Sequence, residues 1–270
     1  MEVYWLNDIR LVAIDLDGTL LSNDFVISPR AQSAIRQVRD RGVFVTICTG
    51  RMYASALPYA TDLGLDLPLV TYQGALVKTS GTGEVLYRRE VPVNLARSVI
   101  AMANDYGYPA NVYYGDRLYV ERLSPEGALY VRRARIPVNV VEDLLGFVKS
   151  DPIKVLIMSS PENLDAFARE WQARYGDRLY LTKSMPTYLE FTHPEATKGR
   201  GLAAVASHLG VDRTQVMAIG DSWNDLEMFS YAGFSVVMGN APEDVKRVAD
   251  YVTRNNDDDG VAEALEKFFL

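Results

Sequence analysis

The chain has 270 residues, 48% of them hydrophobic, with a formal net charge of -7 and a pI near 5.0. That length supports one large domain or a domain carrying a substantial insertion, and the acidic balance argues against a nucleic-acid or anionic-membrane surface. MEVYWLNDIR is no basic-then-apolar signal, no apolar run reaches membrane-span length and the single cysteine, Cys48, excludes an internal disulfide, so a soluble cytoplasmic protein is expected.

In chain order, RLVAID (10–15) reads as a first buried strand. Ser28-Pro29 opens a helix whose apolar positions Ala31, Ala34, Ile35 and Val38 keep helical spacing, and Gly42 closes it. VFVTIC (43–48) is a continuous β-rich run that suits a parallel strand covered on both faces. A helix over 52–63 and a strand at 68–71 follow. The middle changes character. GTGEVLYRRE and NVYYGDRLYV read as hairpin material, the second with a Gly115-Asp116 turn, and PIKVLIM and DRLYLTK are strands flanking a helix at 161–175. Strand–helix alternation then returns: a helix from Thr197 to Gly210, the strand VMAIG, a helix from Trp223 to Ala232, the strand FSVVM and a terminal helix. The expectation is a doubly wound, Rossmann-like parallel-sheet core formed by residues 1–80 and 185–270, interrupted by an α+β cap over 81–184.

Ligands in such sheets bind beyond the carboxyl ends of the strands. Asp15 and Asp17 end the first strand, Thr49-Gly50-Arg51 ends the second, and Gly220-Asp221-Ser222 ends VMAIG, with Asn224 and Asp225 in the next turn. Lys198 opens the helix after the insertion. If these strands are neighbours, several carboxylates, one ammonium and one hydroxyl share a crevice. So many acids call for a cation, and a few carboxylates completed by water and substrate oxygens is how Mg²⁺ is usually held. Thr49 and Lys198 suit an anion beside it. The crevice reads as a metal-assisted phosphoryl-transfer site.

DLDGTL at 15–20, CTGR at 48–51, TKG at 197–199 and GDSWND at 220–225 resemble, in order, the four motifs of the haloacid dehalogenase superfamily. With VVMGNAPEDVKRVADYVT and DDDGVAEAL they resemble the Cof-type phosphatases, which carry an α+β cap between the second and third motifs. The resemblance implies roles. Asp15 would attack phosphorus to form an aspartyl-phosphate. Asp17 would protonate the leaving oxygen and then activate water. Asp15, the main-chain carbonyl of Asp17 and Asp221 would hold Mg²⁺. Leu16 and Gly50 through their amides, with Thr49, Lys198 and Asn224, would bind the phosphate of a small phosphate ester. Asp225 would orient Lys198 or a metal-bound water. Relatives usually carry Asn where Gln73 stands, so the substrate stays open among sugar phosphates, phosphoglycolate, pyridoxal phosphate and flavin-pathway phosphates.

Plainer readings stand beside these. Asp225 with Ser222 fits a helix-capping pattern, Arg51 suits loop support or a core–cap salt bridge better than phosphate contact, and Cys48 suits a buried strand. Tyr113, Tyr114 and Tyr119 suit hairpin packing better than stacking on a substrate ring. His193 and His208 lack clustered partners. Gly199-x-Gly201-x-x-Ala204 matches a dinucleotide fingerprint, but its glycines lie inside a helix rather than in a turn after a strand. Two non-enzymes remain as rivals, a receiver-type phospho-acceptor and a phosphate-binding protein, and a sugar-phosphate mutase remains as a rival enzyme. Against the receiver, the extra acids follow Lys198 and an acid stands two residues after Asp15.

Overall fold

The computed structural model describes residues 8–123, 127–128, 131–132 and 136–270. The first segment holds β1 (Leu11–Ile14), α1 (Pro29–Asp40), β2 (Phe44–Ile47), α2 (Tyr53–Asp62), β3 (Pro68–Thr71), β4 (Leu76–Thr79) and β5 (Val85–Arg88). The middle holds α3 (Val93–Asp105), β6 (Ala110–Tyr114), β7 (Arg117–Val120), β8 (Val138–Val140), α4 (Leu144–Phe147), β9 (Lys154–Met158), α5 (Pro161–Tyr175), β10 (Tyr180–Met185) and β11 (Tyr188–Thr192). The last segment holds α6 (Lys198–Leu209), β12 (Val216–Gly220), α7 (Leu226–Tyr231), β13 (Phe234–Val237), α8 (Glu243–Lys246), β14 (Tyr251–Val252) and α9 (Gly260–Phe269).

β1 is covered on both faces. It lies in a parallel sheet ordered β14-β13-β12-β1-β2. Val12 and Ile14 pack with Ala31, Ala34 and Ile35 of α1 and Leu265 of α9. Leu11 and Ala13 face the other layer, with Leu202, Val205 and Ala206 of α6 and Met228 of α7. This is the doubly wound core that the strand–helix alternation implied. The chain leaves β1 toward β2 on one side and returns through β12 on the other, so the crevice between the ends of β1 and β12 is where connections diverge.

Local signals account for the helices that flank that crevice. Ser28 Oγ accepts from the Ala31 amide at 3.0 Å, and Pro29 begins α1. Thr197 caps α6 by accepting from Arg200, and Gly210, at φ 63°, ends it. The glycines of α6 serve close packing, not a dinucleotide. A Cβ on Gly199 would meet the Glu227 carbonyl oxygen at 2.3 Å, and one on Gly201 would meet Val70 Cγ1 at 2.4 Å. Their absence lets α6 settle deep enough for Lys198 to reach the sheet.

A second, six-stranded sheet, ordered β10-β11-β9-β6-β7-β8, forms from the middle of the chain. NVYYGDRLYV is the hairpin β6–β7, with Gly115 and Asp116 both at positive φ in its turn. One sheet face carries Val112, Val155, Ile157 and Phe191 against Val99 of α3 and Phe167 and Trp171 of α5. The other face presents Tyr113, Leu156, Met158 and Tyr188, which join the apolar cluster that includes Leu21 and Met52 of the core. Sheet membership shifts at both ends of this region. GTGEVLYRRE, expected inside the insertion, supplies β5, which pairs antiparallel with β4 beside β3. YLEFT, expected after residue 184, supplies β11 between β9 and β10. The chain therefore passes between sheets near Val91 and near His193 rather than at 81 and 184. β5 pairs with its chain neighbour β4, whereas β11 also pairs with β9 across the length of α5, a pairing that local patterning does not encode.

Gly199→Ala should force α6 away from α7 and cost about 1–3 kcal/mol, as overpacking does. Thermal unfolding should show a clear loss, whereas Gly81→Ala, with nothing within 4 Å of its Cβ position, should unfold like the native chain. Equal midpoints for the two variants would contradict the close-packing role.

Candidate active site

Asp15 follows β1 directly. Its amide donates to the Ile219 carbonyl at 2.9 Å, and its side chain is 5% exposed. The chain then doubles back, with the Thr19 and Leu21 amides both donating to the Leu16 carbonyl. Gly18 makes that turn possible at φ 80°, where a Cβ would meet Asp221 Oδ2 at 2.5 Å. The turn brings Thr19 Oγ1 to Asp221 Oδ1, donating at 2.7 Å.

Lys198, at the start of α6, lies between two acids. Its Nζ donates to Asp15 Oδ1 and to Asp225 Oδ1, each at 2.6 Å, and all three side chains are buried. Asp225 also accepts from the Asp221 and Ser222 amides through Oδ2, both at 3.0 Å. It is at once the cap of the turn after β12 and the holder of Lys198. A Cβ on Gly220 would meet Asp225 Oδ2 at 2.6 Å, so that residue type is required there.

The electrostatics follow from this geometry. Burial, and then the Asp225, Asp221 and Asp17 charges, push the Asp15 carboxyl well above the usual carboxylate range, with Lys198 pulling the other way. Burial and then Asp225 push Asp221 up to about 7. Burial opposes the Lys198 charge, but Asp15 and Asp225 outweigh it and raise its pKa. The carboxylates thus exceed the one ammonium among them. Asp15, Asp221 and Asp225 each offer an oxygen within 4.8 Å of the others. Asp225 spends both oxygens on Lys198 and on amides, whereas Asp15 Oδ2 and Asp221 Oδ2 carry no hydrogen bond among the described residues. An all-oxygen set with two available carboxylates fits a hard divalent cation such as Mg²⁺.

Thr49 and Gly50 follow β2 and face the same pocket as Asp15, Asp17, Asp221 and Asn224. The Thr49 amide donates to Val70 at 2.8 Å, and its hydroxyl accepts from the Arg51 amide at 3.2 Å. Asn224 Nδ2 donates to Gln73 Oε1 at 3.0 Å. Leu16 is wholly buried, and its carbonyl accepts from the Thr19 and Leu21 amides. Asp17 stands apart from Asp15. Its carboxylate is 47% exposed and takes both arms of Arg51, Nε at 2.7 Å and Nη2 at 2.6 Å. The Arg51 guanidinium lies over the rings of Phe25 and Tyr59, so Arg51 bridges two parts of the core rather than core and cap. His193 and His208 belong to no metal-binding group among the described residues, and Cys48 is buried. Tyr114 and Tyr119 meet edge to face across the hairpin and pack on Phe147, whereas Tyr113 is fully buried with its ring edge-on to Tyr72 of the core.

A family model for haloacid dehalogenase-like hydrolases matches residues 12–265. The chain belongs to that family. Its relatives include the 5-amino-6-(5-phospho-D-ribitylamino)uracil phosphatase YcsE of Bacillus subtilis, 33% identical over 97% of each chain. A haloacid dehalogenase-like hydrolase from Bacteroides thetaiotaomicron superposes with a TM-score of 0.88 at 29% identity, covering 97% of this chain and 100% of the other. A phosphatase of the superfamily from the same organism gives 0.81 at 28%, covering 96% of this chain and 95% of the other. This haloacid dehalogenase-like chain is therefore an enzyme of the phosphatase type. Among the described residues no helix is long and apolar enough to cross a membrane.

Two charged pocket residues escaped sequence reasoning, Lys154 and Glu190. They pair at 3.1 Å and are 1% and 3% exposed. The signal was available: each is a lone charge inside an otherwise apolar strand, KVLIM and YLEFT, where burial is costly without a partner.

The raised Asp221 gives a signed pH dependence. Between its usual value of 3.8 and about 7 the folded, metal-free enzyme binds a proton that the unfolded chain does not. Its contribution to stability is therefore full below about 4 and lost as pH rises through about 7, in the same direction as that of Asp15. A divalent cation held by Asp221 would replace that proton. The stabilisation by added Mg²⁺, read as the shift in melting temperature, should grow from pH 5.5 to pH 8. A shift independent of pH would contradict metal binding at Asp221.

Proposed function

We propose that the enzyme hydrolyses small phosphate monoesters in a Mg²⁺-dependent reaction that passes through an aspartyl-phosphate on Asp15. The observation that carries this reading is the placement of Lys198 between Asp15 and Asp225, next to Asp221. An ammonium held there keeps one carboxylate ionised and leaves N–H capacity for a phosphate oxygen.

Asp15, the Asp17 carbonyl and Asp221 would hold the Mg²⁺, which when bound neutralises charge on the phosphate and on the acids around it. Thr49 through its hydroxyl, Leu16 and Gly50 through their amides, and Lys198 and Asn224 through their side chains would hold the phosphate. An Asp15 oxygen attacks phosphorus while the ester bond to the leaving oxygen breaks, and that oxygen takes a proton from Asp17. Water then attacks the phosphorus of the acyl phosphate and gives its proton to Asp17, freeing Asp15 and inorganic phosphate. Arg51 aims the Asp17 carboxylate at the rim of the pocket, and contact with the leaving oxygen requires one Asp17 oxygen to exchange Arg51 for substrate.

The six-stranded sheet and its helices would act as the lid, and the leaving group would lie beneath it. The cavity has a volume of about 340 Å³, and Leu21, Phe25, Met52, Met185 and Tyr188 supply apolar walls. Such walls accept a leaving group with an apolar face as well as a polyol chain. Similarity to the ribitylaminouracil phosphate phosphatase makes flavin-pathway phosphates a class to screen beside sugar phosphates.

Asp15→Asn should abolish turnover without loss of fold. Asp17→Asn should slow hydrolysis of an alkyl phosphate by on the order of 10²–10⁴. With an activated aryl phosphate it should accumulate phosphate on Asp15, seen by mass spectrometry after acid quench. An Asp17→Asn enzyme as fast as the native one on an alkyl phosphate would remove Asp17 from the acid–base role. Adduct accumulation in the native chain without turnover would point to a phospho-acceptor instead.

A further inference from the structure

A continuous chain of buried polar side chains joins the lid sheet to both sides of the phosphate site. Asn224 Nδ2 donates to Gln73 Oε1 at 3.0 Å, and Gln73 Nε2 donates to Glu190 Oε2 at 2.9 Å. Lys154 Nζ donates to Glu190 Oε1 and to the Gly50 carbonyl, each at 3.1 Å. Lys154 and Glu190 come from β9 and β11 of the six-stranded sheet, on the face that looks toward the core. Gln73, Gly50 and Asn224 come from three separate loops of the core.

The backbone around this chain is shaped to admit it. Tyr72 and Gln73 both adopt positive φ, 53° and 60°, which costs conformational free energy for residues other than glycine. Gly74 follows at φ 96°, and a Cβ there would meet the Thr197 carbonyl oxygen at 2.0 Å. The loop is thus wedged against the start of α6. On its other side a Cβ on Gly50 would meet Gln73 Nε2 at 2.3 Å. The Gln73 amide occupies the space that the missing Gly50 side chain leaves, and it is 1% exposed. Asn224 Oδ1 is buried without a partner, so its link to Gln73 is the described hydrogen bond that fixes how its amide faces the site. With one N–H on Gln73, the second is available to a phosphate oxygen.

We propose that Lys154, Glu190 and Gln73 are positioning residues, a relay by which the seated lid sheet holds Asn224 in its phosphate-binding orientation and, through the Gly50 carbonyl, steadies the residue whose amide faces the phosphate. The proposal rests on the reading of Asn224 and Gly50 as phosphate-binding groups. Hydrophobic side chains of similar size would seal the lid at least as stably as a buried ion pair. What the ion pair adds is directional hydrogen bonding to two core loops at once. Phosphate affinity is then a property of core and lid together, and it weakens when the lid end of the chain is cut.

The test uses the full chain with Mg²⁺ and orthovanadate as a phosphate analogue, read as its inhibition constant against an aryl phosphate. Gln73→Leu should raise that constant by about tenfold, the size of coupling common within one hydrogen-bond network. The double variant Lys154→Met with Glu190→Leu removes both charges together, so no lone buried charge remains, and it should raise the constant comparably. In an Asn224→Ala background Gln73→Leu should have a clearly smaller effect than in the native one. Equal factors in the two backgrounds, or an unchanged constant in Gln73→Leu and in the double variant, would overturn the relay. If Asn224→Ala alone leaves the constant unchanged, the reading of Asn224 as a phosphate group fails and the relay falls with it.

Discussion

Lys198 carries its charge in a place nearly closed to water, with Asp15 on one side and Asp225 on the other at 2.6 Å. Removing one partner of such a buried ion pair commonly costs about 3–5 kcal/mol, because the remaining charge has no substitute partner. The rest of the site is arranged around this one ammonium. Asp15 comes from the end of β1 and Asp225 from the turn after its neighbour β12. The glycines of α6 bring the lysine close to both, and the loop at 72–74 presses against the first residues of the same helix. A change at any of these contacts reaches the Asp15 carboxylate through Lys198.

The two acids of the DLDGTL stretch show how one short turn yields two different groups. Asp15 is buried with an ammonium and further carboxylates, which raises its affinity for a proton until a cation takes the proton's place. Asp17, two residues on, is half-exposed at the rim and held by both arms of Arg51. Proximity in sequence thus goes with opposite solvation, a pattern that lets neighbouring carboxyl groups take separate tasks. The turn that separates them depends on Gly18 at positive φ against Asp221.

Much of this was legible in the sequence because the chemistry-bearing residues stand at strand ends, and short apolar strands between capped helices announce themselves. Asp15, Thr49, Asp221 and Lys198 needed only the assumption that their strands are neighbours, and the parallel pairing of β1 with β2 and β12 supplies it. Residues whose placement depends on pairing across the chain were not legible. β5 pairs with β4 in the core's own hairpin and β11 pairs with β9, so the second sheet begins after the expected 81 and runs past the expected 184. Lys154 and Glu190 were not singled out, because only sheet register places both on the same face, toward the core. Gln73 was singled out for its length, but the positive φ that directs its amide over Gly50 has no signature in a glutamine.

The central claim is that Lys198 and a Mg²⁺ ion together hold a phosphoryl group on Asp15. A crystal structure of the enzyme grown with Mg²⁺ and beryllium fluoride, a mimic of an acyl phosphate, tests it most directly. The expected result is beryllium bonded to an Asp15 oxygen, Mg²⁺ between Asp15 and Asp221, and Lys198 Nζ within hydrogen-bond distance of a fluoride. Beryllium on Asp17 or Asp221, or a fluoride cluster bound away from Lys198, would contradict it.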